Sequence, residues 1–283
     1  MGGFFTNPLI VKELRERFRA KKSFWILALY LLVMGAILLG FVYLLHLDSV
    51  IVPGEDRDTF IAMAVLQYGL ICFIAPALSA GAVSGERERQ TLNILLTTQL
   101  SPLKIVASKL VTSLAFIFLL VVSSVPLYSL IFLYGGVSPS QLLTLVVFYA
   151  VNIILFGSLG LFCSTWVKRT GVSTILAYGL AFFFVVGTGL LFIFLGRLVV
   201  ELSEGVPPAE PLDFLGMQVL YSLNPLIIMA DILGVGFAGD VPMFMEPWLF
   251  FVIFCLLISL LLVLWSGYLL RPARRPWFAR KKT

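Results

Sequence analysis

The residues that could do chemistry are few, and their spacing excludes most catalytic sites. One histidine, His46, cannot supply the H-E-x-x-H pair of a zinc protease. Cys72, Cys163 and Cys255 all fall inside apolar runs, so neither a disulfide framework nor a metal-ligand spacing is available. At Gly239-Asp240 the intramembrane aspartyl motif lacks its first glycine, because Phe237 stands there. Gly234, Gly236 and Gly239 satisfy G-x-G-x-x-G, but they follow no strand and open no helix before Val241-Pro242, which excludes dinucleotide binding. No G-x-x-x-x-G-K-[ST] occurs, so this chain has no phosphate cradle of that type and its energy source must lie elsewhere. No metal site and no bound cofactor are expected. The richest polar stretch runs Ser84-Gly85-Glu86-Arg87-Glu88-Arg89-Gln90-Thr91. Charges of both signs there suit the orientation of a docked surface better than acid–base catalysis.

What must position that stretch is a membrane. Hydrophobic residues make up 60% of the chain, charged residues 12%, and the mean hydropathy is +1.04. Apolar runs at 24–45, 60–83, 110–134, 142–166, 172–195 and 248–270 are each long enough to cross ~30 Å of hydrocarbon at ~1.5 Å per helical residue. The expected fold is an all-α integral membrane protein with six transmembrane helices. Under that threading all but two of the 20 basic residues fall on one side, leaving Arg57 and Arg197 opposite. The positive-inside rule then puts both termini in the cytoplasm. The net charge of +5 reads as attraction to anionic membrane lipid, not to nucleic acid.

The polar stretch lies on the basic side, between the second and third spans. Gly85 can end a helix, and from Gln90 a helical period puts Leu92, Leu95 and Leu96 on one face. Ser101-Pro102 is a cap and first-turn signal for the next helix. Ser84-Gly85-Glu86-Arg87-Glu88, then Thr91-Leu92, Leu95-Leu96, Thr97-Thr98 and Lys109, resembles the first cytoplasmic loop of type-2 ATP-binding-cassette (ABC) exporter permeases. Many members of that family have Gly where Gln90 stands and Pro where Gln99 stands.

The resemblance implies a coupling loop at 84–104 that docks on a separate ATP-binding subunit through Gly85, Glu86, Arg87, Glu88, Arg89, Thr91, Leu92, Leu95 and Leu96. The leucines would form the apolar patch. Lys168 and Arg169, between the fourth and fifth spans, would make a second contact. ATP and magnesium would be bound by the partner, so this chain would be a non-catalytic subunit. A second permease half, the same or similar, would complete the transporter in the plasma membrane, which in bacteria is the inner membrane.

Around this core, residues 1–23 are expected to hold an amphipathic helix lying on the inner leaflet. It opens at Asn7-Pro8, with Ile10, Val11, Leu14 and Phe18 in one arc and Lys12–Glu16 and Glu13–Arg17 as i,i+4 pairs. A signal peptide is not expected, because the polar lead is long and no small-residue cleavage site follows it. Pro76 and Pro126 each free a backbone carbonyl inside a span. With Gln67 and Asn152 they could line a pathway or serve packing. Neutral groups of this kind would suit an amphiphilic substrate. Gly157 with Gly160, and Ser173 with Ala177 and Ala181, read as close-packing faces. The outer segment 196–247 should contain a re-entrant or interfacial helix opened by Asn224-Pro225 and closed by Gly234, and residues 271–283 form a basic tail. A membrane scaffold or assembly factor, and then a secondary carrier, are the alternatives from other classes.

Overall fold

The computed structural model describes residues 8–19, 21–45, 57–92, 101–134, 138–202, 212, 214–236 and 244–270. Among these residues the chain is mostly helical, with short turns between helices and no strand. An amphipathic helix α1 (Pro8–Arg19) leads into the first span, α2 (Lys21–Leu45), and the second span is α3 (Arg57–Ala80). After a turn comes the short α4 (Ser84–Glu88), and α5 (Pro102–Tyr134) and α6 (Pro139–Trp166) are the third and fourth spans. The fifth span is built from α7 (Thr170–Phe182), a wide π-helical turn (Phe183–Gly187) and α8 (Thr188–Leu202). Two short helices, α9 (Leu215–Leu223) and α10 (Pro225–Ile232), precede the last span, α11 (Pro247–Leu269). Among the described residues six helices are long and apolar enough to cross a membrane.

Local signals in the sequence set the helix starts. Ser138 and Gln141 form a reciprocal capping box ahead of Pro139. Asn224 caps α10 by accepting from the N–H groups of Leu226 and Ile227, and Pro225 needs no donor at the first position. Lys104 N–H likewise lies 3.4 Å from Ser101 Oγ at the start of α5. That helix begins at Pro102, before the apolar run does. The re-entrant element is larger than expected, because α9 and α10 form a helix pair bent by 82°.

The fourth span is the hub, with 61% of its apolar window buried against α3, α5, α7 and α11. Its small residues allow this approach. A Cβ on Gly160 would collide with Ser79 Oγ, and one on Gly157 with Leu114 Cδ2. Ala177 is buried with Ala80 and Cys163, so the small-residue faces of the fourth and fifth spans pack within the chain. The fifth span is otherwise bare, with only 6% of its window buried.

Candidate functional site

The charged stretch folds differently from the sequence expectation. Gly85 does not end a helix. It lies inside α4, where an added Cβ would only make ordinary contact with Thr170, 3.7 Å away. The stop falls at Gln90, the one described non-glycine residue with positive φ, at 59°. Gln90 N–H donates to Arg87 O (3.1 Å) and Thr91 N–H to Glu86 O (2.9 Å), the two bonds of a Schellman ending. A helix cannot therefore start at Gln90. Its position needs the left-handed backbone that glycine adopts most readily, which gives a physical reason for glycine at this place in the resembling permeases.

Each charged side chain of α4 has a partner in its own chain. Glu86 receives the Lys109 ammonium at 2.8 Å and the Thr91 hydroxyl. Burial would raise its carboxyl, but the bonds from Lys109 and Thr91 hold it below the usual range. Arg87 donates to the carbonyls of Thr165 (3.3 Å) and Val167 (3.5 Å), where α6 runs out of acceptors' partners. Glu88 does the converse at the next helix, accepting from Thr170 N–H at 2.7 Å and from its hydroxyl. Those bonds hold the exposed Glu88 carboxyl below its ordinary value. Beneath them, Ser164 Oγ accepts from the N–H groups of Val83 and Ser84, both at 2.9 Å, and Ser173 Oγ donates to Ala80 O. Two loops distant in sequence are thereby joined into one layer.

Of the residues expected to meet a partner, Glu88 and Arg89 face outward beside Gln90. Leu92 does not. It is buried in a cluster with Val83, Ile105, Val106, Leu161 and Leu270, because the Schellman turn directs the chain back over the bundle end. Leu95 and Leu96 lie outside the described residues. Lys168 and Arg169 sit in the bend between α6 and α7, next to the Glu88–Thr170 contact.

Gln67 and Asn152 in the span interior are fully buried and each accepts a hydrogen bond from a tyrosine on another helix. Gln67 accepts from Tyr30 OH at 2.5 Å, and Asn152 accepts from Tyr68 OH at 3.3 Å while donating to Phe148 O. Tyr149 and Tyr128 donate to the carbonyls of Ala64 and Met63. Tyr30, Tyr128 and Tyr149 give no signal in the sequence, since hydroxyl tips at ordinary apolar positions carry no characteristic spacing. Helices α3 and α5 continue through Pro76 and Pro126; Ser79 Oγ caps the carbonyls of Ala75 and Pro76, and Ser129 Oγ that of Pro126.

At the opposite end, Asn224 Nδ2 donates to Val185 O (2.9 Å) inside the π-turn and to Thr188 Oγ1 (2.8 Å). Gly234, at φ 69°, closes α10, and Arg57 donates to Leu233 O. The geometry as a whole is six spans, a rigid polar layer at the basic end, and a bent helix pair opposite. The family model of ABC-2 family transporter proteins matches residues 8–270. The chain belongs to that family. No curated protein matches it. As an ABC-2 permease the chain implies an ABC ATP-binding partner.

Proposed function

We propose that this permease is the membrane subunit of an exporter, driven by an ATP-binding subunit that docks on the 84–104 loop. The observation that carries the reading is the clamping of α4 to both α6 and α7 through Arg87 and Glu88, because a loop that transmits force must be rigidly joined to the spans it moves. Both termini and this layer face the cytoplasm in the reading, as the basic residues require. ATP and magnesium are held by the partner. Two copies, or this chain and a similar one, form the working unit, and the bare apolar surfaces of the first and fifth spans, 17% and 6% buried, suit lipid and the second half.

Arg89 and the 168–169 bend supply the outward charge, and Leu95 and Leu96 the apolar contact. Leu92→Asp is no test of docking, because Leu92 is part of the chain's own core. The test is reconstitution of the permease with the ATP-binding subunit in nanodiscs. Arg89→Glu should weaken association about tenfold and lower permease-stimulated ATP hydrolysis while the folded yield holds. Wild-type association and stimulation in Arg89→Glu combined with Lys168→Glu would sink the reading.

A further inference from the structure

Helix α1 and helix α4 face each other across a cavity of about 550 Å³, with Glu13, Glu86, Lys109, Thr112, Gly81 and Arg89 in its wall. Space of that size means that side-chain packing does not tie the two helices together there. Lys109 does. Its ammonium stands 2.7 Å from Glu13 Oε1 on α1 and 2.8 Å from Glu86 Oε1 on α4. Thr112, one turn along α5, donates to the second oxygen of Glu13 at 3.0 Å and fixes its orientation.

Burial separates this triple from an ordinary surface pair. The Lys109, Glu13 and Glu86 side chains are 12%, 16% and 28% exposed, whereas Lys12 and Glu16, 3.8 Å apart on α1, are 71% and 67% exposed. An exposed pair contributes little, but a shielded cation left without one partner is strongly destabilised in that arrangement. The rest of α1 is held by apolar contact, with Phe18 against Phe116 of α5.

We propose that Lys109 is a positioning residue that binds the membrane-surface helix α1 to the loop helix α4, so that both move as one body when the loop is pushed. The proposal deepens the coupling reading and rests on it. Through Lys109, displacement of α4 by a docked subunit drags the amphipathic helix across the lipid interface, and the seating of α1 in the leaflet sets the rest position of the loop.

The test uses the full chain in nanodiscs: distances are read between spin labels at positions 15 and 89, both exposed, and ATP hydrolysis and association are measured on the unlabelled chain with the ATP-binding subunit. Lys109→Met should broaden the distance distribution between the labels and cut permease-stimulated ATP hydrolysis about fivefold or more, with subunit association kept within about twofold. Glu13→Gln removes the α1 arm alone and should do the same, and it serves if Lys109→Met folds poorly. Lys109→Arg, which can still bridge two carboxylates, should restore both readouts. Glu16→Gln should change neither. Wild-type distance width and stimulation in Lys109→Met or Glu13→Gln would overturn the proposal, as would an equal loss in Glu16→Gln. If the wild-type permease stimulates no ATP-binding subunit, the coupling reading falls, and the label distances alone decide whether Lys109 joins the helices.

Discussion

The two ends of the bundle are held by different chemistry. At the basic end, charged side chains reach between helices far apart in sequence: Glu13 and Glu86 to Lys109, Arg87 to the end of α6, Glu88 to the start of α7. At the other end no ion pair forms among the described residues: Asn224 is inserted at the π-turn, Tyr221 donates to Asp231 at 2.6 Å and Arg57 caps the carbonyl end of α10. Charge-assisted bonds are the stronger kind, and at the basic end they join α1, α4, α6 and α7, whereas the Asn224 cap makes four neutral bonds. Under the coupling proposal the basic end moves with the docked subunit, and the bent helix pair at the other end does not.

The largest effect that would break this contrast is expected from Ser164→Val. It leaves the Val83 and Ser84 N–H groups buried without an acceptor, at about 1–3 kcal/mol each, and should loosen the whole basic layer. The thermal midpoint in detergent and hydrogen exchange over residues 81–92 measure it. Unchanged exchange there would mean that the layer is held by something other than Ser164.

Asn224→Ala comes next. It removes the α10 cap and both bonds to the fifth span, about 2 kcal/mol in total, and exchange should rise in α9 and α10 with residues 81–92 unaffected. A rise at both ends would make them one cooperative unit and erase the distinction.

Gln90→Gly has the opposite sign. Relief of the left-handed backbone at φ 59° should stabilise α4 by about 1 kcal/mol. A lower thermal midpoint would show that the Gln90 side chain, and not its backbone, is what the loop needs.

The smallest effect is expected from pH. Glu86 is held below its ordinary value of 4.5, so its contribution is fully present above that pH and is lost as pH falls through the lowered value. Glu86→Gln should therefore flatten the acid side of the stability profile of the basic end. An unchanged acid limb would remove Glu86 from the link.

How much of this was legible in the sequence depended on the range of the signal. The spans could be read because apolar runs of membrane length need no partner to be recognised. Ser101-Pro102 and Asn224-Pro225 could be read because a cap bonds within its own first turn. The site could not be read in the same way. Glu13 looked like the i,i+4 partner of Arg17, and only the fold of α1 onto α5 brings it to Lys109 and Thr112. Leu92 shared a helical face with Leu95 and Leu96 on paper, yet the turn at Gln90 directs it into the core. Helix α9 had no cap of its own to announce it, since Phe214 offers no side-chain bond.

Cysteine labelling tests the central claim most directly. In a background with Cys72, Cys163 and Cys255 replaced by alanine, single cysteines at positions 89 and 244 report on the two ends, with the ATP-binding subunit supplied at a concentration that saturates a site weakened about tenfold by loss of Arg89. Both native residues are exposed. Adding the ATP-binding subunit should slow maleimide labelling at position 89 about tenfold or more and leave position 244 unchanged. Equal labelling of position 89 with and without that subunit, or protection of position 244 instead, would contradict it.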